Sequence, residues 1–150
     1  MKKDDGNAGV ANNTYGTLST LQVRQGTIAY RSYLKFQVSG LAGTVTAAKL
    51  RLAVSDDSAD GGRVYRVGDL TSSGAPWSDA NLTWNNAPPL GTQVGNAGAV
   101  PVGSVTITLD PSVFTGDGTY SFALASASTN SAVYSSREGA NPPQLILTTS

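Results

Sequence analysis

The sequence predicts an all-β domain, an antiparallel β-sandwich of jelly-roll-like form with about eight strands. Three observations predict it. Apolar and polar residues alternate with period two along run after run of short segments. Clusters of Gly, Asp, Asn and Pro separate those runs, and helical periodicity is almost absent. With 17 Gly and only 13 % charged residues in 150, the composition suits short strands joined by tight turns. It is read as one domain over residues 1–150, with residues 1–10 a tail or an altered first strand, and without Cys a hydrophobic core must hold it together.

The alternation assigns faces strand by strand. In Leu21-Gln22-Val23-Arg24 the two apolar residues share a face. In the run from Tyr30 to Val38, Leu34, Phe36 and Val38 form the inner row, so Arg31, Tyr33, Lys35 and Gln37 form the outer one. The turn 39–47 leads to a strand with Leu50, Leu52 and Val54 inward and Lys49, Arg51 and Ala53 outward. Further strands are expected at 62–67, at 105–110 with Val105, Ile107 and Leu109 inward, and at 120–126 with Tyr120, Phe122 and Leu124 inward. Two more follow, at 132–136 and 144–149. One core should therefore contain Leu34, Phe36, Leu50, Leu52, Ile107, Phe122, Leu124 and Leu147.

The chemical inventory argues against an enzyme. The chain has no His and no Cys, which removes the usual proton shuttle, the thiolate nucleophile and the commonest transition-metal ligands. Glu138 is the only Glu, no pattern pairs it with an Asp across a cleft, and Ser135 and Ser136 lack a histidine base. Formal net charge is zero, yet most Asp residues fall in turn-like segments while Arg24, Arg31, Lys35, Lys49 and Arg51 fall in strands. No nucleic-acid motif and no membrane-spanning apolar run occurs, and Met1-Lys2-Lys3 precedes Asp4-Asp5 rather than the apolar stretch of an export signal.

Two segments invite a ligand reading. Asp56, Ser58 and Asp60 place oxygens at alternate positions before Gly61, like the start of a calcium loop, although Val67 stands where the closing Glu would be. An acidic, solvated turn explains the same residues, so no cofactor is expected beyond a structural calcium. Trp77 to Pro89 holds both tryptophans. Ser78 can cap a helical turn over Asp79 to Leu82, which makes the segment a lid with Trp84 the main core anchor and Trp77 the lesser one.

Taken together, Asn12-Asn13-Thr14-Tyr15-Gly16, Ser19 to Arg24, Arg31 to Leu41, Trp77 to Pro89, Gly116 to Leu124 and Tyr134 to Leu147 resemble the DNRLRE-type domain, and within it the alginate-binding carbohydrate-binding modules. The segments around Trp84 and Glu138 are the specific parts. The resemblance spans nearly the whole chain and implies a non-catalytic sandwich, secreted or at the cell surface, covalently linked to neighbouring domains. Gln37 departs from the acidic residue usual in that family, and residues 1–10 depart from its first strand. The resemblance also implies that Arg31 and Glu138 form a buried structural pair, with Arg137 turned to solvent.

On this reading the function is recognition of an acidic polysaccharide such as alginate. Its carboxylates would meet an outward row of Arg24, Tyr33, Lys35, Lys49 and Arg51, with Tyr33 offering a flat face to a sugar ring. The same charges would also serve simply to keep a sheet surface wet. A structural or adhesive module of a cell-surface protein is the alternative, and it needs no site.

Overall fold

The computed structural model describes residues 2–4 and 8–150, with side chains from Val10 onward. Ten strands lie among them: β1 (Lys2–Asp4), β2 (Thr20–Val23), β3 (Ala29–Val38), β4 (Val45–Asp56), β5 (Arg63–Arg66), β6 (Gln93–Asn96), β7 (Gly103–Leu109), β8 (Gly118–Ala125), β9 (Ala132–Ser135) and β10 (Gln144–Thr149). Eight coincide with the alternating runs. β1 falls within residues 1–10, read as a tail or an altered first strand, and β6 alone has no counterpart among the expected strands: it is short and contains Gly95, which lets the chain pass against Thr108 and Leu109 of β7. Of the expected tail or altered first strand, residues 2–4 pair with Ala29–Arg31 of β3, while residues 1 and 5–7 lie outside the described residues.

All pairings are antiparallel, in the order β1-β3-β8-β5-β6-β7-β4-β9-β2, with β10 also on β4. The path curls back on itself. Arg24, just after β2, and Tyr30, in β3, exchange two backbone hydrogen bonds of 3.1 and 3.0 Å, so one end of the sheet closes. The long β4 makes this possible by offering one edge to β7 and sharing the other between β10 and β9.

Inward rows from nearly every strand meet in one core of Leu21, Val23, Leu34, Leu50, Leu52, Val54, Val64, Ile107, Leu109, Phe122, Leu124 and Tyr134, among others. The expected register holds: Leu34, Leu50, Leu52, Ile107, Phe122 and Leu124 are buried, Phe36 and Leu147 pack against them half-buried, and Lys49 and Arg51 are exposed. Tyr134 is fully buried and donates its hydroxyl to the Gly61 carbonyl at 2.6 Å. A Cβ on Gly61 would lie 2.5 Å from that oxygen, so glycine is required there by close approach.

The segment 56–62 is a structural corner. Ser58 Oγ donates to Asp60 O and Asn130 O at 3.2 and 3.0 Å, and the Asp60 carboxylate accepts from the Gly62 and Ala127 amides at 3.0 and 2.8 Å. These bonds tie the β4–β5 connection to the β8–β9 connection. The Asp60 oxygens are thus already hydrogen-bonded by amides, and Asp56 is exposed. Burial alone would raise the Asp60 pKa, but the Ala127 and Gly62 amides, the Ser126 hydroxyl and the Arg63 charge outweigh it and hold the carboxyl below its ordinary 3.8.

A depressed folded-state pKa contributes stability above the unfolded value and loses it as pH falls through the folded value. Thermal melts from pH 6 down to about 2 should therefore show a shallower acid decline for Asp60→Asn than for the parent. Parallel acid limbs would contradict the role given to this corner.

Candidate functional site

The outer face of β3 does not meet solvent as an open row. Residues 68–91 fold across it and build a second apolar cluster of Tyr33, Val67, Trp77, Leu82 and Ala123, with Ala87 and Leu90 against them. Pairing explains the location: Tyr33 faces Ala123 on β8, and Ala123 faces Tyr65 on β5, so a small residue leaves room for a ring above it.

Trp77 is 4 % exposed and fills that space. Its indole Nε1 donates to Gly68 O at 2.9 Å, and Tyr33 meets it edge-on at 5.8 Å and 83°. Lys35 Nζ lies 4.2 Å from the Trp77 ring centroid and donates to the Trp77 carbonyl at 2.5 Å. The two tryptophans thus exchange the roles expected from sequence. Trp84 is half-buried with the Arg31 guanidinium 5.1 Å from its ring, whereas Trp77 is the anchor. Trp77 wins because it sits above Ala123 while Trp84 sits at the margin.

Polar staples shape the lid. Ser78 caps a turn, with Ala80 N donating to its Oγ and Leu82 N to its carbonyl. Thr83 and Asn86 exchange hydrogen bonds at 2.8 and 3.2 Å, and Asn86 Nδ2 donates to Asn81 O at 2.7 Å. Ser121 on β8 donates to Asp69 Oδ1 at 2.6 Å, which fastens the lid's start to the sheet. Sequence reading missed Asn81, Asn86 and Ser121; the Asn spacing within the segment was the available signal.

Beside the lid lies an open cleft of about 500 Å³, bounded by Tyr15, Lys35, Gln37, Ser78, Asp79, Arg137 and Glu138 over an apolar floor that includes Phe36 and Pro143. Its far wall is the 136–143 loop. Arg137 binds Asp79 across the cleft and Glu138 beside it, the latter through Nε at 2.9 Å. Glu138 and Asp79 together hold the guanidinium charged. A Cβ on Gly16 would fall 2.6 Å or less from atoms of Asp79, so this glycine lets the loop before β2 seat the cleft wall.

The sequence-derived site residues are therefore divided. Tyr33 and Lys35 belong to the lid and cleft, but Tyr33 is buried, donates its hydroxyl to Pro88 O at 3.1 Å, and has no open face for a sugar ring. Burial raises its phenol pKa, against the opposing charge of Arg31. Lys49 and Arg51 lie on β4, which is not a neighbour of β3, on the outer face shared with β7 and β10; Arg51 Nε donates to Ser104 Oγ at 2.9 Å. Arg24 stands at the β2–β3 seam. The single row fails because alternation reports which face a residue takes and not which strands adjoin. The Arg31–Glu138 pair is also replaced: Glu138 is exposed and pairs with Arg137. Among the described residues no group of three or more His, Cys, Asp or Glu is placed to hold a metal, and no helix is long and apolar enough to cross a membrane.

A sandwich with a lidded, partly apolar cleft and a few converging polar groups is the form of a ligand-binding module. The chain belongs to carbohydrate-binding module family 96, whose sequence profile matches residues 6–149. No curated protein matches it.

Truncating the buried ring should cost most. Trp77→Ala is expected to lower stability by about 3–5 kcal/mol in urea unfolding, and Trp84→Ala by less. The reverse order would contradict the assignment of the anchor.

Proposed function

We propose that this module is non-catalytic and recognises an acidic polysaccharide such as alginate through the cleft between β3 and the 136–143 loop. The observation that carries the reading is convergence: the two segments most specific in the sequence, around Trp77–Pro89 and around Tyr134–Leu147, supply opposite walls of one cleft.

The chemistry supports a ligand bearing both carboxylates and hydroxyls. Lys35 has three donors, of which the Trp77 carbonyl takes one. Arg137 is 76 % exposed and spends Nε and one terminal nitrogen on its acids, which leaves guanidinium N–H groups for a uronate carboxylate. Asp79 and Glu138 add acceptors for sugar hydroxyls, and the Gln37 amide stands beside them. The apolar floor suits the less polar face of a pyranose. Attachment to a secreted polysaccharide-degrading enzyme, with placement outside the cell, completes the reading.

Affinity electrophoresis in alginate gels tests it. Arg137→Ala should weaken retention about tenfold, the scale of one charge-assisted hydrogen bond, without lowering the melting temperature, and added salt should weaken the parent. The double variant Lys49→Ala/Arg51→Ala should be retained like the parent. Loss of retention in that double variant alone would move the polysaccharide to the β10–β4–β7 face.

A further inference from the structure

The sheet is closed at one end and open at the other. Along Leu34–Val38, β3 pairs with β8 on one side, while β1 reaches only Ala29–Arg31 on the other. β10 pairs with β4 alone. Among the described residues, the remaining edges of β3 and β10 have no strand partner. They face one another across a groove of about 620 Å³ whose rims are Phe36–Ser39 with Leu41 and Pro143–Leu147.

The floor of this groove is the main core itself. Phe36, Val38, Leu41, Leu145 and Leu147 pack on the buried cluster and remain only partly covered. No lining residue carries a charge, and charged side chains are the usual guard on an exposed edge. Direction supplies the decisive constraint. Six antiparallel pairings lead from β3 through β8, β5, β6, β7 and β4 to β10, so β3 and β10 run the same way. One strand laid between them would be antiparallel to both and would complete the alternation around the barrel.

We propose that this groove accepts an extended, uncharged polypeptide strand of alternating apolar and polar residues, donated by a different protein. The strand satisfies both unpaired backbone edges and turns every second side chain onto the floor, the mode of recognition by strand addition. A rim of about five residues matches the length of an ordinary strand. The groove adjoins the charged cleft and shares Phe36, Gln37 and Pro143 with it, but Val38, Ser39, Leu41 and Gln144–Leu147 line the groove alone, so protection at Val38 and Leu145–Leu147 tests the strand apart from the polysaccharide reading.

The probe is a capped synthetic peptide of residues 103–109, Gly-Ser-Val-Thr-Ile-Thr-Leu, an uncharged strand whose apolar residues already pack in this core. At about 1 mM peptide, amide exchange at Phe36–Val38 and Leu145–Leu147 should slow roughly tenfold. The same peptide with Ile107→Pro, which cannot complete the ladder, should have no effect. Unchanged exchange at both rims would overturn the proposal. So would self-association of the chain without peptide that protects the same amides, since the occupant would then be a second copy.

Discussion

The outer half of this molecule depends on the burial of one indole ring. Trp77 has no place in the main core; it lies on the opposite face of β3 and β8, where Ala123 leaves a depression and Tyr33 supplies an edge. Its burial makes β3 a strand covered on both faces. Leu34 and Phe36 serve the central core while Tyr33 and Lys35 serve the lid. Without that ring, residues 68–91 would keep only Leu82, Ala87 and Leu90 as apolar contacts, beside hydrogen bonds each worth about 0.5–1.5 kcal/mol net.

The same burial sets the chemistry of the cleft. Lys35 is drawn inward by the Trp77 ring and carbonyl, so its charge sits at the floor's margin rather than out in solvent. Ser78 and Asp79 follow Trp77 directly and become a wall, which Arg137 reaches from the opposite loop. Two cations and two carboxylates then share one small space. Their balance disfavours a purely electrostatic footprint and suits a ligand that needs both donors and acceptors, with hydrogen-bond geometry deciding selectivity.

Much of this was legible from residue order, in a physically uneven way. Period-two alternation is a local property of a strand, so it placed Leu50 and Leu52 inward and Lys49 and Arg51 outward correctly. Which strands become neighbours is a non-local property. Nothing in the run Tyr30–Val38 states that it adjoins β8 instead of β4, and the supposed row joining Lys35 to Arg51 fell for that reason. Trp77 and Trp84 were both seen as lid residues, but their order of burial depended on Ala123, distant in sequence. The Arg137–Asp79 contact likewise joins two turns whose approach only the folded chain reveals.

Spectroscopic mapping of backbone amides during titration with an alginate trisaccharide addresses the central claim directly, that the cleft seated by Trp77 is where sugar binds. The account predicts shifts concentrated at Gln37, Ser78, Asp79, Arg137 and Glu138, with Thr106, Lys49 and Arg51 unmoved. Shifts confined to Lys49, Arg51 and Thr106, with the cleft silent, would contradict it.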